Sequence, residues 1–268
     1  MDLNTVAEVR DAAALDRWRP GDAWLAGGTY LFSEPQPGVT RLLDLASFNW
    51  APLTATDNGL EIAATCTVAE LFGFEPPVRW PALQPLIQQC CHAFLASFKI
   101  WNVATVGGNL CNALPAGPMI SLTAALDGVC TVLTVDGRTR LMPVTELVTG
   151  AGTIALAPGD LLRSVTLPGT ALGGTTAFRQ GSLNTHGRSA ALLIGRRDPS
   201  GALVLTVTAS TVRPVRLSFP TIPDAAMLRA AITATIPDDA YVDDVHGLPE
   251  WRRHLTLLFA EEIRRELA

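Results

Sequence analysis

Ala104-Thr105-Val106-Gly107-Gly108-Asn109-Leu110 sits inside a charge-free stretch running from Ile100 to Leu126. A sister element lies upstream, Trp24-Leu25-Ala26-Gly27-Gly28-Thr29. Both read as a β-prone apolar run that enters a Gly-Gly pair and leaves through a small polar residue. Glycine has no Cβ and tolerates positive φ, so such a pair lets backbone N–H groups close around a bulky anion. Consecutive N–H groups in a turn form an anion-binding concavity. Two such turns match the two phosphates of one dinucleotide. Neither is the Gly-x-Gly-x-x-Gly turn that opens a Rossmann helix, and the chain holds no Walker sequence.

Composition narrows the classes. At 268 residues, 48% hydrophobic and 17% charged, the chain has the make-up of a well-buried globular protein. A net charge of −5, with no basic cluster interleaved with aromatics, argues against nucleic acid and an anionic membrane surface. The Ile100–Leu126 stretch is long enough to span a bilayer, but Gly107-Gly108, Asn109, Asn112, Pro115 and Pro118 break it. A buried, ligand-lining segment is expected instead. Met1-Asp2-Leu3-Asn4 has no basic region before an apolar core, so no secretory leader is expected. Cys66, Cys90, Cys91, Cys111 and Cys130 make an odd number with no Cys-x-x-Cys pair, which points to reduced, buried thiols in the cytoplasm. His92, His186, His246 and His254 lack metal-ligand spacing, and no zinc or iron–sulfur site is expected within this chain.

Local signals set the organisation. Thr5-Val6-Ala7-Glu8 reads as a capping box opening a short helix to about Arg17, and Thr67-Val68-Ala69-Glu70 as a second box. Strands are expected at Trp24–Ala26, Arg41–Leu45 and Leu60–Ala64, the last after an Asn58-Gly59 turn. Helical spacing predicts helices over Pro81–Phe98 and Pro118–Leu126. Val129–Val135 and Arg140–Val144 read as a hairpin with a two-residue turn at Asp136-Gly137. Beyond a Pro/Gly-rich shift at Pro168–Gly174, strands are expected at Thr175–Gln180 and Ala202–Ser210, and helices at Asp224–Thr235 and Pro249–Leu267. The last is amphipathic, with Leu255, Leu258, Phe259 and Ile263 on one face and arginines and glutamates on the other. The sum is an α+β body of about 170 residues and a sheet-plus-helix region of about 95.

The flanks of the glycine pairs carry a specific signal. Ala26-Gly27-Gly28-Thr29, Leu42-Leu43-Asp44-Leu45, Gly59-Leu60-Glu61-Ile62-Ala63-Ala64-Thr65, Val68-Ala69-Glu70-Leu71, then Asn102 through Leu110 and Pro115, follow in a fixed order. Together they resemble the FAD-binding subunit of the molybdenum hydroxylases, the xanthine and carbon monoxide dehydrogenase family. Ala177-Phe178-Arg179-Gln180 is similar to the start of that family's C-terminal flavoprotein domain, and Pro249-Glu250-Trp251-Arg252-Arg253-His254-Leu255 to its closing helix. The resemblance covers essentially the whole chain. It implies a two-part FAD-binding domain of the type shared with vanillyl-alcohol oxidase and p-cresol methylhydroxylase over residues 1–170, with subdomains of about 1–50 and 51–170. A C-terminal flavoprotein domain over 171–268, an antiparallel sheet plus helices, would follow.

By position, the resemblance implies a first cofactor loop from Leu25 and Ala26 through Gly27, Gly28, Thr29 and Tyr30 to Leu31. It implies a second at Thr105, Gly107, Gly108 and Asn109, with Asn112, Pro115, Leu162 and Arg179 completing the FAD site. Backbone N–H groups would hold the phosphates, and Thr29, Thr105 and Asn109 would add neutral hydrogen bonds. No histidine flanks either loop, so FAD would be held non-covalently. Three residues depart from the family pattern: Trp101 in place of an arginine, Pro118 in place of an aspartate, and Arg179 in place of a lysine. Cys111 either approaches the flavin or fills space, Trp101 either stacks on the ring or packs, and His186 reads as a solvated loop residue rather than a catalytic one. Trp101, Leu114 and Met119 belong either to a partner-facing patch beside the flavin or to the core.

The implied function is that of an oxidoreductase subunit. FAD takes electrons from a 2Fe-2S subunit fed by a large molybdenum-cofactor subunit, and passes them to an external acceptor. Two other classes stand beside it: a structural subunit with a degenerate flavin site, and a freestanding flavin oxidoreductase, for which the sequence offers no clear acid–base residues.

Overall fold

The structure is a computed structural model that describes residues 5–14 and 17–268. Met1–Asn4, read above for a leader, lies outside those residues, as do Leu15 and Asp16 in the first expected helix. Three parallel strands open the fold: β1 (Glu8–Asp11), β2 (Asp22–Leu25) and β3 (Arg41–Asp44), with β3 between the others. Arg41 clasps Asp22 across the β2–β3 pair through Nε–Oδ1 at 2.7 Å and Nη2–Oδ2 at 2.6 Å. The segment after Thr5 is therefore a strand and a 3-10 turn (Ala12–Ala14) rather than a helix. Thr5 Oγ1 donates to the Val39 carbonyl at 2.6 Å instead of capping, and pairing of Glu8–Asp11 with β3 outweighs the local signal.

The body is an antiparallel sheet in the order β4-β5-β10-β6-β7 with helices against it. In chain order it comprises β4 (Leu53–Thr56), β5 (Gly59–Ala63), α1 (Val68–Phe72), α2 (Leu83–Ala93), α3 (Phe98–Trp101), α4 (Val106–Asn112) and α5 (Pro118–Ala125). Then come β6 (Val129–Leu133), β7 (Thr139–Pro143), α6 (Val144–Leu147), the small hairpin β8 (Val148–Gly150) and β9 (Thr153–Ile154), β10 (Leu161–Pro168) and α7 (Gly169–Leu172). The second capping box forms as expected, with Thr67 Oγ1 accepting from Glu70 N and the Glu70 carboxylate accepting from Thr67 N.

Two expectations shift here. The helix read over Pro81–Phe98 ends at Ala93, because Phe94 turns to ψ 83° and its carbonyl accepts the Trp101 indole N–H at 3.2 Å. The β6–β7 loop is one residue longer than a two-residue turn: Thr134 N donates to Arg138 O, and Gly137 takes φ 82°. The charge-free stretch folds into α3, α4 and α5, and all eight residues of α5 are buried. No helix among the described residues is long and apolar enough to cross a membrane.

The C-terminal region is an antiparallel meander, β11 (Thr175–Gly181), β12 (Ala191–Arg197), β13 (Leu203–Thr208) and β14 (Val215–Phe219), followed by α8 (Ala225–Thr235) and α9 (Pro249–Leu267). Helix α9 lies on β11 and β12 at two glycines. A Cβ on Gly195 would collide with Ile263, and one on Gly181 would come within 3.1 Å of Phe259 and Leu255. The buried face of α9 differs from the one expected. Leu258 is 43% exposed, whereas Arg252 is buried, its guanidinium donating to the Gly247, Ala190 and Ala209 carbonyls and pairing with Asp244. The sheet packs on α5 through a Ser121–Thr208 hydroxyl contact of 2.6 Å. Arg196 Nη1 donates to the Ala125 carbonyl at the C-terminus of α5, and Nη2 pairs with Asp127.

Candidate functional site

The first glycine pair follows β2, and the loop Ala26–Leu31 lines a cavity of about 400 Å³ with Thr105, Gly108, Asn109, Asn112 and Leu114 opposite. The backbone N–H groups of Gly27, Gly28, Thr29, Tyr30 and Leu31 donate to no acceptor among the described residues. Five consecutive free donors in a cavity wall suit an oxyanion. The loop is held close to the second motif by Gly27, where a Cβ would overlap the Val103 carbonyl. Gly28 takes φ 68°, a conformation that side chains rarely adopt.

The second pair is built differently from the strand-to-turn element read from the sequence. Thr105 is the N-cap of α4, its Oγ1 accepting from Gly108 N at 3.0 Å, and both glycines lie in the first helical turn with no positive φ. The nearby amides are already engaged. Val106 N donates to Cys66 O (2.8 Å), Gly107 N to Ala64 O (3.0 Å) and Asn109 N to Thr105 O (3.0 Å). What remains for a ligand is side-chain chemistry: the Thr105 hydroxyl proton and the Asn109 amide N–H groups. Asn109 Oδ1 accepts from Met119 N at 3.1 Å, which turns its Nδ2 donors the other way. Gly107 packs on Ala64, 2.5 Å from its Cβ to a would-be Cβ, whereas a Cβ on Gly108 would meet only its own cap, Thr105 Oγ1. Gly108 faces open space.

A second cavity of about 390 Å³ shares Trp24, Ala26, Gly108 and Cys111 with the first, so the two form one elongated cleft. Its remaining wall is Leu45, Ala64, Gly107 and Ile154 together with the run Leu156–Leu162. Trp24 sits at the junction, packed on Trp18 with centroids 4.9 Å apart, its indole N–H donating to Asp160 O at 3.1 Å. Among the described residues, neither wall contains a lysine, arginine or histidine. Burial pushes the Cys111 thiol up to about 12, so it stays neutral.

The expected site residues thus converge in part. Ala26, Gly27, Gly28, Thr29, Tyr30, Leu31, Thr105, Gly107, Gly108, Asn109, Asn112 and Leu162 line the cleft. Leu25, Pro115 and Arg179 lie outside its walls: Leu25 ends β2, the Pro115 carbonyl accepts from Ala209 N, and Arg179 on β11 pairs with Glu262 and Glu266 of α9 at 2.6 and 2.7 Å. Trp101 packs on Phe72 at 5.3 Å, Met119 is fully buried, and Leu114 lines the first cavity, so the three form no common exposed patch. His186 is exposed in its loop. Phe94, Gly152 and Leu156–Leu161 line the cleft without a sequence expectation, and Trp24, expected only as a strand residue, lines it too; only Pro158-Gly159, a turn signal ahead of β10, offered a local cue.

Residues 2–170 match the family model described as the FAD binding domain in molybdopterin dehydrogenase. The chain belongs to that family. FAD is accordingly the cofactor of its family, and residues 2–170 are a flavin-binding domain of the molybdopterin dehydrogenase type. The xanthine dehydrogenase of Oryza sativa subsp. japonica is 30% identical over 124 residues, and xanthine dehydrogenase 2 of Arabidopsis thaliana 27% over 125; each match covers 44% of this chain. The matched segment is 9% of those relatives' length. In fold, the chain superposes on a chain of reconstituted CO dehydrogenase from Oligotropha carboxidovorans with a TM-score of 0.82, 21% identity and 100% coverage of both. A chain of quinoline 2-oxidoreductase from Pseudomonas putida 86 gives 0.74 and 17%, covering 97% of this chain and 95% of the other. Of the three departures from the family pattern, Pro118 has a local explanation: it is the first residue of α5, where proline's fixed φ and missing N–H cost nothing.

Proposed function

We propose that this chain holds FAD non-covalently in the cleft and acts as the electron-transfer subunit of a molybdenum-dependent oxidoreductase. It would take electrons from a 2Fe-2S subunit served by a molybdenum-cofactor subunit and deliver them to an external acceptor. The observation that carries the reading is the run of five unpartnered N–H groups, Gly27–Leu31, facing Thr105 and Asn109 across a cavity within a family of FAD-binding domains. Gly27–Leu31 bind the pyrophosphate through backbone N–H groups, and the Thr105 hydroxyl and Asn109 amide add neutral donors. The absent side chain at Gly108 leaves room for it. The isoalloxazine, when bound, supplies the reversible electron chemistry, and the protein contributes binding and exclusion of water. We take the two regions to divide near residue 170, and we place the complex in the cytoplasm, where five free thiols stay reduced.

The test is direct. Purified chain titrated with FAD should retain a flavin absorbance band through gel filtration and melt at a higher temperature. Protein that stays colourless with an unmoved Tm overturns the reading. Co-expression with molybdenum and iron–sulfur subunits should give a complex whose flavin band bleaches on adding the organic substrate. The engaged amides of Val106–Asn109 favour a second reading, a docking subunit without flavin. Stable assembly with those partners by a chain that never takes up FAD would select it.

A further inference from the structure

The segment joining α2 to α4 turns a row of apolar side chains outward. Phe98 is 72% exposed, and Leu95, Ile100 and Val103 are 45, 36 and 44% exposed. Four such residues on one short helix and its flanks form a patch, where scattered single ones would call for no explanation. The other side of α3 is anchored: Trp101 packs on Phe72 and donates its indole N–H to the Phe94 carbonyl. Lys99 stands in the middle of the patch. It is the only lysine in the chain, it is exposed, and it pairs with no carboxylate among the described residues. The patch borders the first cavity, since Phe94 and Ala104 line that cavity and Gly27 packs against the Val103 carbonyl.

We propose that this patch is the docking surface for the 2Fe-2S electron donor, with Lys99 turned toward the cluster-bearing face of that protein. The proposal rests on the electron-transfer reading above and specifies where the donor sits. Charge and position choose the occupant. A 2Fe-2S cluster held by four cysteine thiolates carries a net charge of about −2 to −3, and nearby donors and cations stabilise its sulfurs. Lys99 supplies the opposite charge, which the cleft walls do not, and the apolar side chains around it exclude water from the contact. The position is right as well, because the patch adjoins the cavity in which the flavin would receive the electrons. A second copy of this chain docked patch to patch about a two-fold axis would set Lys99 near Lys99. An anionic bilayer is held by clusters of basic residues, and the patch has one.

The experiment loads the full chain with FAD and compares wild type, Phe98→Asp, Lys99→Glu and Lys99→Arg in assembly with the iron–sulfur and molybdenum subunits. Neither Phe98 nor Lys99 lines the cleft, so FAD affinity by fluorescence titration should stay within about twofold of wild type. Phe98→Asp should weaken capture of the purified iron–sulfur subunit about 30-fold or more, the loss expected of a buried aromatic anchor. Lys99→Glu should slow bleaching of the flavin by the organic substrate about tenfold at low salt, and Lys99→Arg should restore it. Raising NaCl from about 50 to 500 mM should weaken the wild-type complex and strengthen that of Lys99→Glu, a reversal that a merely structural role would not produce. Variants that load FAD and assemble as the wild type does overturn this inference alone. So does a wild type that dimerises, or binds phosphatidylserine vesicles, through a surface that Phe98→Asp abolishes. Capture and FAD affinity lost in step would trace both to structural damage and overturn the assignment. A chain that takes up FAD and never captures the iron–sulfur subunit overturns the electron-transfer reading with it.

Discussion

Gly107 and Gly108 are chain neighbours under different constraints. A Cβ on Gly107 would sit 2.5 Å from the Ala64 Cβ, against backbone that cannot yield, whereas one on Gly108 would enter the cleft. Gly107→Val should destabilise the fold by about 1–3 kcal/mol or more, seen in urea unfolding. Gly108→Val should cost only the cap, about 1 kcal/mol, yet weaken FAD binding at least tenfold by titration. Full flavin affinity in Gly108→Val would remove the second motif from the site. Cys111 tests the dryness of the same wall. With its thiol pushed up to about 12, only about one molecule in a few thousand is thiolate at pH 8.5, so iodoacetamide should label it far more slowly than free cysteine, as read by intact mass. Labelling at the rate of free cysteine would mean the wall is wet. Much of this site was legible in the sequence, because glycine pairs and small polar residues are local signals. Trp24 and Asp160, 136 residues apart and joined by one hydrogen bond, carry no local signal and meet only through folding. That Thr105 caps a helix was missed because a Gly-Gly pair disfavours helices and only packing on Ala64 fixes one there.

At the scale of elements, the parallel sheet depends on the buried Asp22–Arg41 pair. Asp22→Asn leaves the Arg41 charge uncompensated and should cost about 3–5 kcal/mol in equilibrium unfolding. The guanidinium beside Asp22 holds its carboxyl below the usual carboxylate range. A carboxyl whose folded value is lowered contributes stability in full above its ordinary value, about 3.9, and loses it as pH falls through the folded one. The wild type should therefore lose stability below about pH 4, and Asp22→Asn should lose less over the same interval. Equal acid slopes for the two would show that the pair carries no linkage. Elements with caps or strict periodicity were readable: α1 by its box, α8 by Asp224 accepting from Met227 N at 2.7 Å, and α9 to its ends. The central strands β10 and β12 were not. Ala191–Arg196 is buried at every residue, so its burial has no alternation to mark a strand. Arg252, an arginine on a helix face otherwise apolar, was assigned to solvent because composition cannot foresee three carbonyls waiting for it.

At the scale of the whole molecule, one core runs from the β4-β5-β10-β6-β7 sheet through α5 into β12, reaching Leu192 and Ile194. The cleft opens between the parallel sheet's loop and the N-terminus of α4, so one wall comes from the first sheet and the other from a helix of the body. The α+β reading followed from strand and helix signals spread along the chain and the antiparallel C-terminal sheet from the family resemblance, whereas the way α5 joins the regions depends on contacts such as Arg196 with Ala125 and Asp127 that no stretch of sequence announces. Among the described residues, the cleft walls hold no basic side chain. A doubly anionic ligand is then gripped by dipoles alone, and dipoles are not what dissolved ions screen. The FAD dissociation constant should move by less than about threefold between 50 and 500 mM NaCl, where a lysine- or arginine-based grip would loosen markedly. A steep salt dependence would place a cation at the phosphates after all. The same lack of positive charge makes the ligand-free cleft a poor sponge: it gives free phosphate, sulfate and nucleic acid nothing to exchange counterions for, and the chain can wait for its dinucleotide among other polyanions without being fouled.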